Sequence, residues 1–154
     1  MDSSALVKRY HKEKGTKQVD ILFDTLMTRK PRCMVTSIWS IPETIATLTR
    51  KKNEGKIDPD RFKEVLANFF HEIDMLEIIT VDAEKIINSI SFITEHNLNS
   101  ADALHLSAIK DAGEIADHFK GTVIVVTSDK RLLKVSKEEG FETLDPEEVE
   151  PVTV

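Results

Sequence analysis

Apolar positions along this chain follow two rhythms, one of helices that bury a single face and one of short β-branched runs. Ala5 to Tyr10 begins a helix behind Asp2, Ser3 and Ser4, any of which can cap it, and Gly15 closes that piece. Val19, Leu22, Phe23 and Leu26 recur on one face of a second helix, which Pro31 stops. Cys33 to Thr36 reads as a short strand, with Ser37 opening the next segment. Ser40-Ile41-Pro42-Glu43 has the form of a capping box, with Ser40 as the cap and Glu43 reaching back to it. That helix runs through Ile45, Ala46, Leu48 and Thr49 to the basic run Arg50-Lys51-Lys52, and Gly55 ends it. Asp58 and Pro59 start another, whose Phe62, Val65, Leu66, Phe69, Phe70 and Ile73 form the clearest amphipathic stripe in the chain. These two helices predict an antiparallel hairpin, and any part of it left uncovered predicts a dimer face.

The second half alternates more tightly. Glu77 to Val81 reads as a strand with Asp82 as the following cap, and Ile86, Ile87, Ile90 and Ile93 line the next helix. Ser100 predicts the cap of a helix that carries Asp102 in its first turn, with Ala101, Leu104 and Ala108 facing inward. His105 shares that side, which predicts a buried, hydrogen-bonded histidine in preference to a metal ligand. A polar connection from Gly113 through Phe119 and Gly121 leads into Val123-Ile124-Val125-Val126, an unbroken β-branched run that suits a strand buried on both faces. It ends in Thr127, Ser128 and Asp129. Lys130 to Lys137 reads as a helix capped by Gly140, Phe141 to Leu144 as a last strand, and Asp145 to Val154 as a loosely held acidic tail. The alternation predicts an α/β sandwich around a mainly parallel sheet.

With 154 residues, 40% hydrophobic and 31% charged, the chain suits a single domain, placed at residues 1–145 with the tail at 146–154. No apolar run reaches membrane-spanning length, and the amino terminus is too polar for a signal peptide. The one cysteine, Cys33, excludes an internal disulfide and a multi-cysteine zinc site, which fits a cytoplasmic protein. A net charge of −6 argues against a general nucleic-acid coat protein, whose grip comes from many Lys and Arg contacts to phosphate. A nuclease remains open, because bound cations invert the sign of a cluster of acids.

Taken singly, the acids have local roles as caps and turn formers. Taken together, Asp2, Glu43, Asp102 and Asp129 each fall at a strand-to-helix junction or one turn into the helix that follows. In a doubly wound sheet those places share one edge of the molecule. Four carboxylates in one crevice would repel and raise one another's pKa unless cations sat among them, and an all-oxygen donor set points to Mg²⁺ or Mn²⁺ rather than zinc. Such ions activate water and neutralise charge at a phosphodiester.

Asp2-Ser3-Ser4-Ala5-Leu6-Val7-Lys8, Glu43 in a helix after a short strand, Ser100-Ala101-Asp102-Ala103-Leu104-His105-Leu106 and Val126-Thr127-Ser128-Asp129 with Arg131-Leu132-Leu133 resemble the PIN-domain family. The similarity is closest to the VapC-type toxins of prokaryotic toxin–antitoxin pairs and spans Asp2 to about Asp145. It implies a Rossmann-like three-layer α/β/α sandwich and a Mg²⁺- or Mn²⁺-dependent endoribonuclease acting on single-stranded RNA. It carries metal ligation onto Asp2, Glu43, Asp102 and Asp129, with Thr127 ordering an acid or a water, and it implies an antitoxin segment over the site and pairing of two catalytic domains.

One departure follows from the same resemblance. The family's first acid ends a central apolar strand, whereas here only Met1 precedes Asp2. The expectation is a truncated N-terminal strand: either several strand residues are missing, which leaves two inner sheet edges unpaired, Asp2 poorly held and activity weak, or the sheet manages with a stub. Lys8, Arg9, Lys130 and Arg131 are candidates to hold substrate phosphates or are simply solvated, and Tyr10 and Trp39 are the aromatic candidates for base stacking. The alternatives are a PIN-fold binding module without strong catalysis and a structure-specific RNA or DNA processing nuclease.

Overall fold

The computed structural model describes residues 1–30, 32–118 and 120–148, so Pro31, Phe119 and the tail beyond Glu148 lie outside the described residues. Seven helices and four strands are seen among them: α1 Ser3–Tyr10, α2 Thr16–Leu26, β1 Val35–Ser37, α3 Ser40–Asn53, α4 Pro59–Ile73, β2 Glu77–Ile79, α5 Ala83–His96, α6 Ser100–His118, β3 Ile124–Val126, α7 Lys130–Glu138 and β4 Glu142–Leu144. Every strand pairing is parallel, as crossover helices between consecutive strands require, with β1 on β2 and β3 on β4.

These are two separate pairs, and Met1 and Asp2 lie between them. The Met1 amino group donates to the Val35 carbonyl (2.7 Å), Thr36 Oγ1 donates to the Met1 carbonyl (2.8 Å), and the Asp2 amide donates to the Val126 carbonyl (3.1 Å). Two residues thus join the inner edges of β1 and β3. Asp2 is well held, contrary to expectation: it is buried, and its Oδ1 accepts the Ala5 amide (3.2 Å) and the Ser4 hydroxyl (2.9 Å).

Two apolar cores lie on opposite sides of the strands. Leu6, Val19, Phe23, Leu48, Phe69 and Leu76 belong to one, filled by α1–α4, and Phe92, Leu98, Leu106, Leu132 and Val135 to the other, filled by α5–α7. Helices on both faces of parallel strands make the three-layer α/β arrangement.

Several local expectations need correction. Ser40 does not cap α3; Trp39 occupies that place, and Glu43 bonds a distant histidine instead of the helix start. Asn99, not Ser100, closes the start of α6, accepting the Asp102 amide at 2.8 Å. Gly113 lies inside α6, where an added Cβ would come within 3.0 Å of the Phe141 ring. On α6 the fully buried apolar residues are Ala103, Leu106 and Ala108 rather than Ala101 and Leu104. Ile86, Ile87 and Ile90 face solvent, while Ser89 and Phe92 face the core. The tail is held over its described part: Pro146 is fully buried, Asp145 accepts from Ser128 and Lys130, and Glu147 pairs with Lys8.

Candidate active site

Strands run parallel within each pair; Asp129 lies just beyond the carboxyl end of β3, Asp2 between the two pairs, Glu43 in the first turn of α3 and Asp102 in the first turn of α6. Each is fixed by a local device. Asp129 caps α7, its Oδ1 accepting the amides of Arg131 (2.8 Å) and Leu132 (2.9 Å). Asp102 Oδ2 accepts the Asn99 side-chain amide at 2.8 Å. Glu43 Oε2 meets His105 Nε2 at 2.6 Å, a bond from α3 to α6 across the strand layer. His105 is 4% exposed, so it is the buried, hydrogen-bonded histidine its position predicts. Among the described residues, Asp129 Oδ2 and Asp102 Oδ1 take no hydrogen bond, so one oxygen on each carboxylate stays available.

The electrostatics tie these groups together. Burial raises the Asp102 pKa above the usual carboxylate range, and the charge of Asp129 adds to the rise, with Glu43 contributing in the same direction. Burial also raises Asp2, against opposing help from the charge of His105 and hydrogen bonds from Ser4 and Thr127. Burial pushes Glu43 upward too, but the His105 bond outweighs it and leaves Glu43 below its ordinary value. The four acids therefore act on one another or on a shared histidine.

Thr127 is fully buried, and its Oγ1 accepts the Asp129 amide at 3.0 Å. Asp2, not Ser4, caps α1, and Ser4 takes another part. Its hydroxyl donates to Asp2, lies 3.2 Å from Thr127 Oγ1 and accepts the Ser128 amide at 2.8 Å, so it knits the first acid to the turn bearing the last. The serine one helical step after an acid was the available signal, but serines at helix starts are too common to single one out.

The basic candidates separate. Lys8, 3% exposed, pairs with Glu13 and Glu147, and Arg9 with Glu72, Asp20 and Asp24, so both serve internal ion pairs. Lys130 pairs with Asp145 and Glu148. Arg131 is exposed, joins no ion pair among the described residues and acts electrostatically on Asp102. Tyr10 is buried edge-on against Phe69, which removes it from stacking, whereas Trp39 is 42% exposed.

The donor chemistry fits a hard divalent cation. All four groups are carboxylates, and the raised acids Asp2 and Asp102 would be relieved by positive charge. Closure around an ion is not complete: among the described residues no three acids or histidines are gathered tightly enough to hold a metal outright. A separate hollow of about 480 Å³ on α5 and α6, lined by residues including Glu84, Lys85, Asp111 and Glu114, contains none of the four acids. No helix among the described residues is long and apolar enough to cross a membrane.

The PIN domain model matches residues 1–138, and a comparison with curated proteins finds no match. PIN domains are three-layer α/β/α units, typically nucleases that use divalent metal ions.

Proposed function

The chain belongs to the PIN-domain family, and we propose that it is a Mg²⁺- or Mn²⁺-dependent endoribonuclease that cleaves single-stranded RNA, acting as the toxin of a toxin–antitoxin pair. The supporting observation is that Asp102, raised by burial and by the charge of Asp129, lies near that second acid, and each of the two keeps an oxygen uncommitted. Asp2, Asp102 and Asp129 would hold the cation, with Glu43 joining through the carboxylate that His105 orients. Bound there, the ion would lower the pKa of water and offset charge on the phosphodiester. The chain's own groups prepare that step. Thr127 and Ser4 fix the turn that presents Asp129, Asn99 orients Asp102, and Arg131 faces the substrate phosphate. Pairing of two copies and an antitoxin that covers the site belong to the same proposal.

The test is cleavage of end-labelled single-stranded RNA by the purified protein with Mg²⁺, with Mn²⁺ and with a chelator. Cutting is expected only with the cations, and Asp102→Asn should lose it by more than the roughly 10- to 100-fold that removal of an outer-shell partner costs. Equal cutting by that variant overturns the assignment. The incomplete closure of the acids favours one second reading, a binding module that shares the fold. Calorimetric titration with Mn²⁺ separates the two, since a catalytic site binds the ion and a module without a site does not. A preference for flap or hairpin substrates over linear RNA would move the assignment to a structure-specific nuclease.

A further inference from the structure

Most exposed large apolar side chains of this protein lie away from the acids. Ile86, Ile87 and Ile90 stand on the outer face of α5, Phe70 on α4, and Ile124 at the amino end of β3. Trp39, next to the 40% exposed Ile38, is the aromatic exception. It follows β1 directly, at the strand-to-helix junction that leads to Glu43.

Its position is fixed. The Ile38 amide donates to the Ile79 carbonyl at 2.8 Å, and the Trp39 amide donates to Ser37 Oγ at 3.1 Å. The Trp39 backbone is already helical, at φ −69° and ψ −29°. Trp39 and Glu43 are therefore four residues apart on one helical face. Helical side chains lean toward the amino end, so Trp39, one turn before Glu43, shares the side of α3 from which Glu43 bonds His105. The 42% exposed indole belongs to neither core.

The charge pattern says what such a group would meet. A polyanion approaching the acids finds Lys8, Arg9 and Lys130 already paired, and among these basic candidates Arg131 alone joins no ion pair among the described residues. Phosphate contacts alone give a weak grip, so a base contact has to supply the rest. Every base offers a π-face, and stacking on an aromatic side chain serves single strands of any sequence. We propose that Trp39 is a substrate-binding residue that stacks one unpaired nucleobase of the RNA strand beside the scissile phosphate. This deepens the nuclease reading and rests on it.

Trp39 is the only tryptophan in the chain, so its fluorescence reports on this site alone. A short single-stranded oligoribonucleotide, titrated into full-length Asp102→Asn protein with Mg²⁺ present, should quench it saturably. A matching abasic oligomer should not. In the otherwise wild-type enzyme, Trp39→Ala should raise KM about tenfold with kcat little changed, in the range expected for one stacked base, and Trp39→Phe should restore most of the loss. An unchanged KM in a Trp39→Ala enzyme that still folds and cleaves, or equal quenching by the abasic oligomer, overturns the proposal and leaves the nuclease reading standing. A fluorescence change that follows protein concentration without RNA assigns the indole to self-association and also overturns it. If the wild type cleaves nothing, the nuclease reading falls, and the two titrations alone decide for or against stacking.

Discussion

Asp102 and Glu43 are both acids near the start of a helix, yet their surroundings move them in opposite directions. Burial and the charge of Asp129 raise Asp102, so its ionised form destabilises the metal-free fold. The unfolded chain binds its proton less tightly. Lowering the pH through the folded-state pKa therefore restores stability, and the gain is complete below the ordinary value of 3.8. Asp102→Asn should accordingly raise the melting temperature of the metal-free protein at pH 7 while eliminating cleavage. A lower melting temperature would show that the carboxylate is structural. Glu43 behaves conversely: its His105 bond stabilises the fold above the ordinary value of 4.5 and is lost as the pH falls through the lowered folded-state pKa. His105→Ala should destabilise the protein by roughly 1–3 kcal/mol, because the buried imidazole is lost and the half-buried Glu43 carboxylate loses its donor, and should reduce activity by about 10- to 100-fold by releasing Glu43. His105→Gln keeps an N–H donor and should recover part of both. Urea unfolding and initial rates measure the pair, and equal activity in all three proteins would detach Glu43 from the site.

At the scale of elements, the starts of four helices were legible because Asp2, Asp58, Asp82 and Asp129 cap as their positions predict. What escaped were features settled by distant partners. The capping box at Ser40 fails because His105, 62 residues away, takes Glu43, and the Ser40 hydroxyl is left buried without a partner among the described residues. Gly113 reads as a helix end, yet α6 passes through it because Phe141 packs where a side chain would stand. Four isoleucines of α5 read as one core face, but Ile93 alone of them packs inward, with Ser89 and Phe92, while Ile86, Ile87 and Ile90 are exposed. That each of the four acids lies at a junction or early in the helix after it was legible, because those positions are local; the bonds of His105 to Glu43 and of Ser4 to Asp2 and Ser128 join distant parts of the chain and were not. The segment after Asp145 was misjudged for the same reason, since its charge suggested solvent while its contacts lie at Gly15 and Lys8. Gly15 has φ +88°, and an added Cβ would meet the Pro146 backbone at 3.0 Å. Gly15→Ala should therefore destabilise the fold by more than about 1 kcal/mol. A chain ending at Asp145 should be less stable than one ending at Glu148, because buried Lys8 loses the carboxylate 2.6 Å away and keeps only Glu13. Equal urea midpoints for the two chains would place 146–148 outside the folded unit.

At the scale of the whole molecule, 27 acidic against 21 basic residues set how it can meet RNA. A nuclease that draws its substrate through a basic groove releases many counterions, and its efficiency falls steeply with salt. Here Arg9, Lys8 and Lys130 stabilise the fold through ion pairs, and of the basic candidates Arg131 alone joins no ion pair among the described residues. A bound divalent ion adds local positive charge without adding side-chain phosphate contacts. Counting about two phosphates neutralised by Arg131 and one neighbour, kcat/KM should fall only about sevenfold between 50 and 200 mM KCl at saturating Mg²⁺, the value expected for single strands. An enzyme engaging six phosphates would lose a few hundredfold over the same range. Replacing Arg131 by Ala should lower kcat/KM and flatten the salt dependence further, because the counterion it displaces is no longer released. A steep slope that survives Arg131→Ala would mean that phosphates are held by a surface away from the acids, which would then have to act on RNA delivered from elsewhere on the protein.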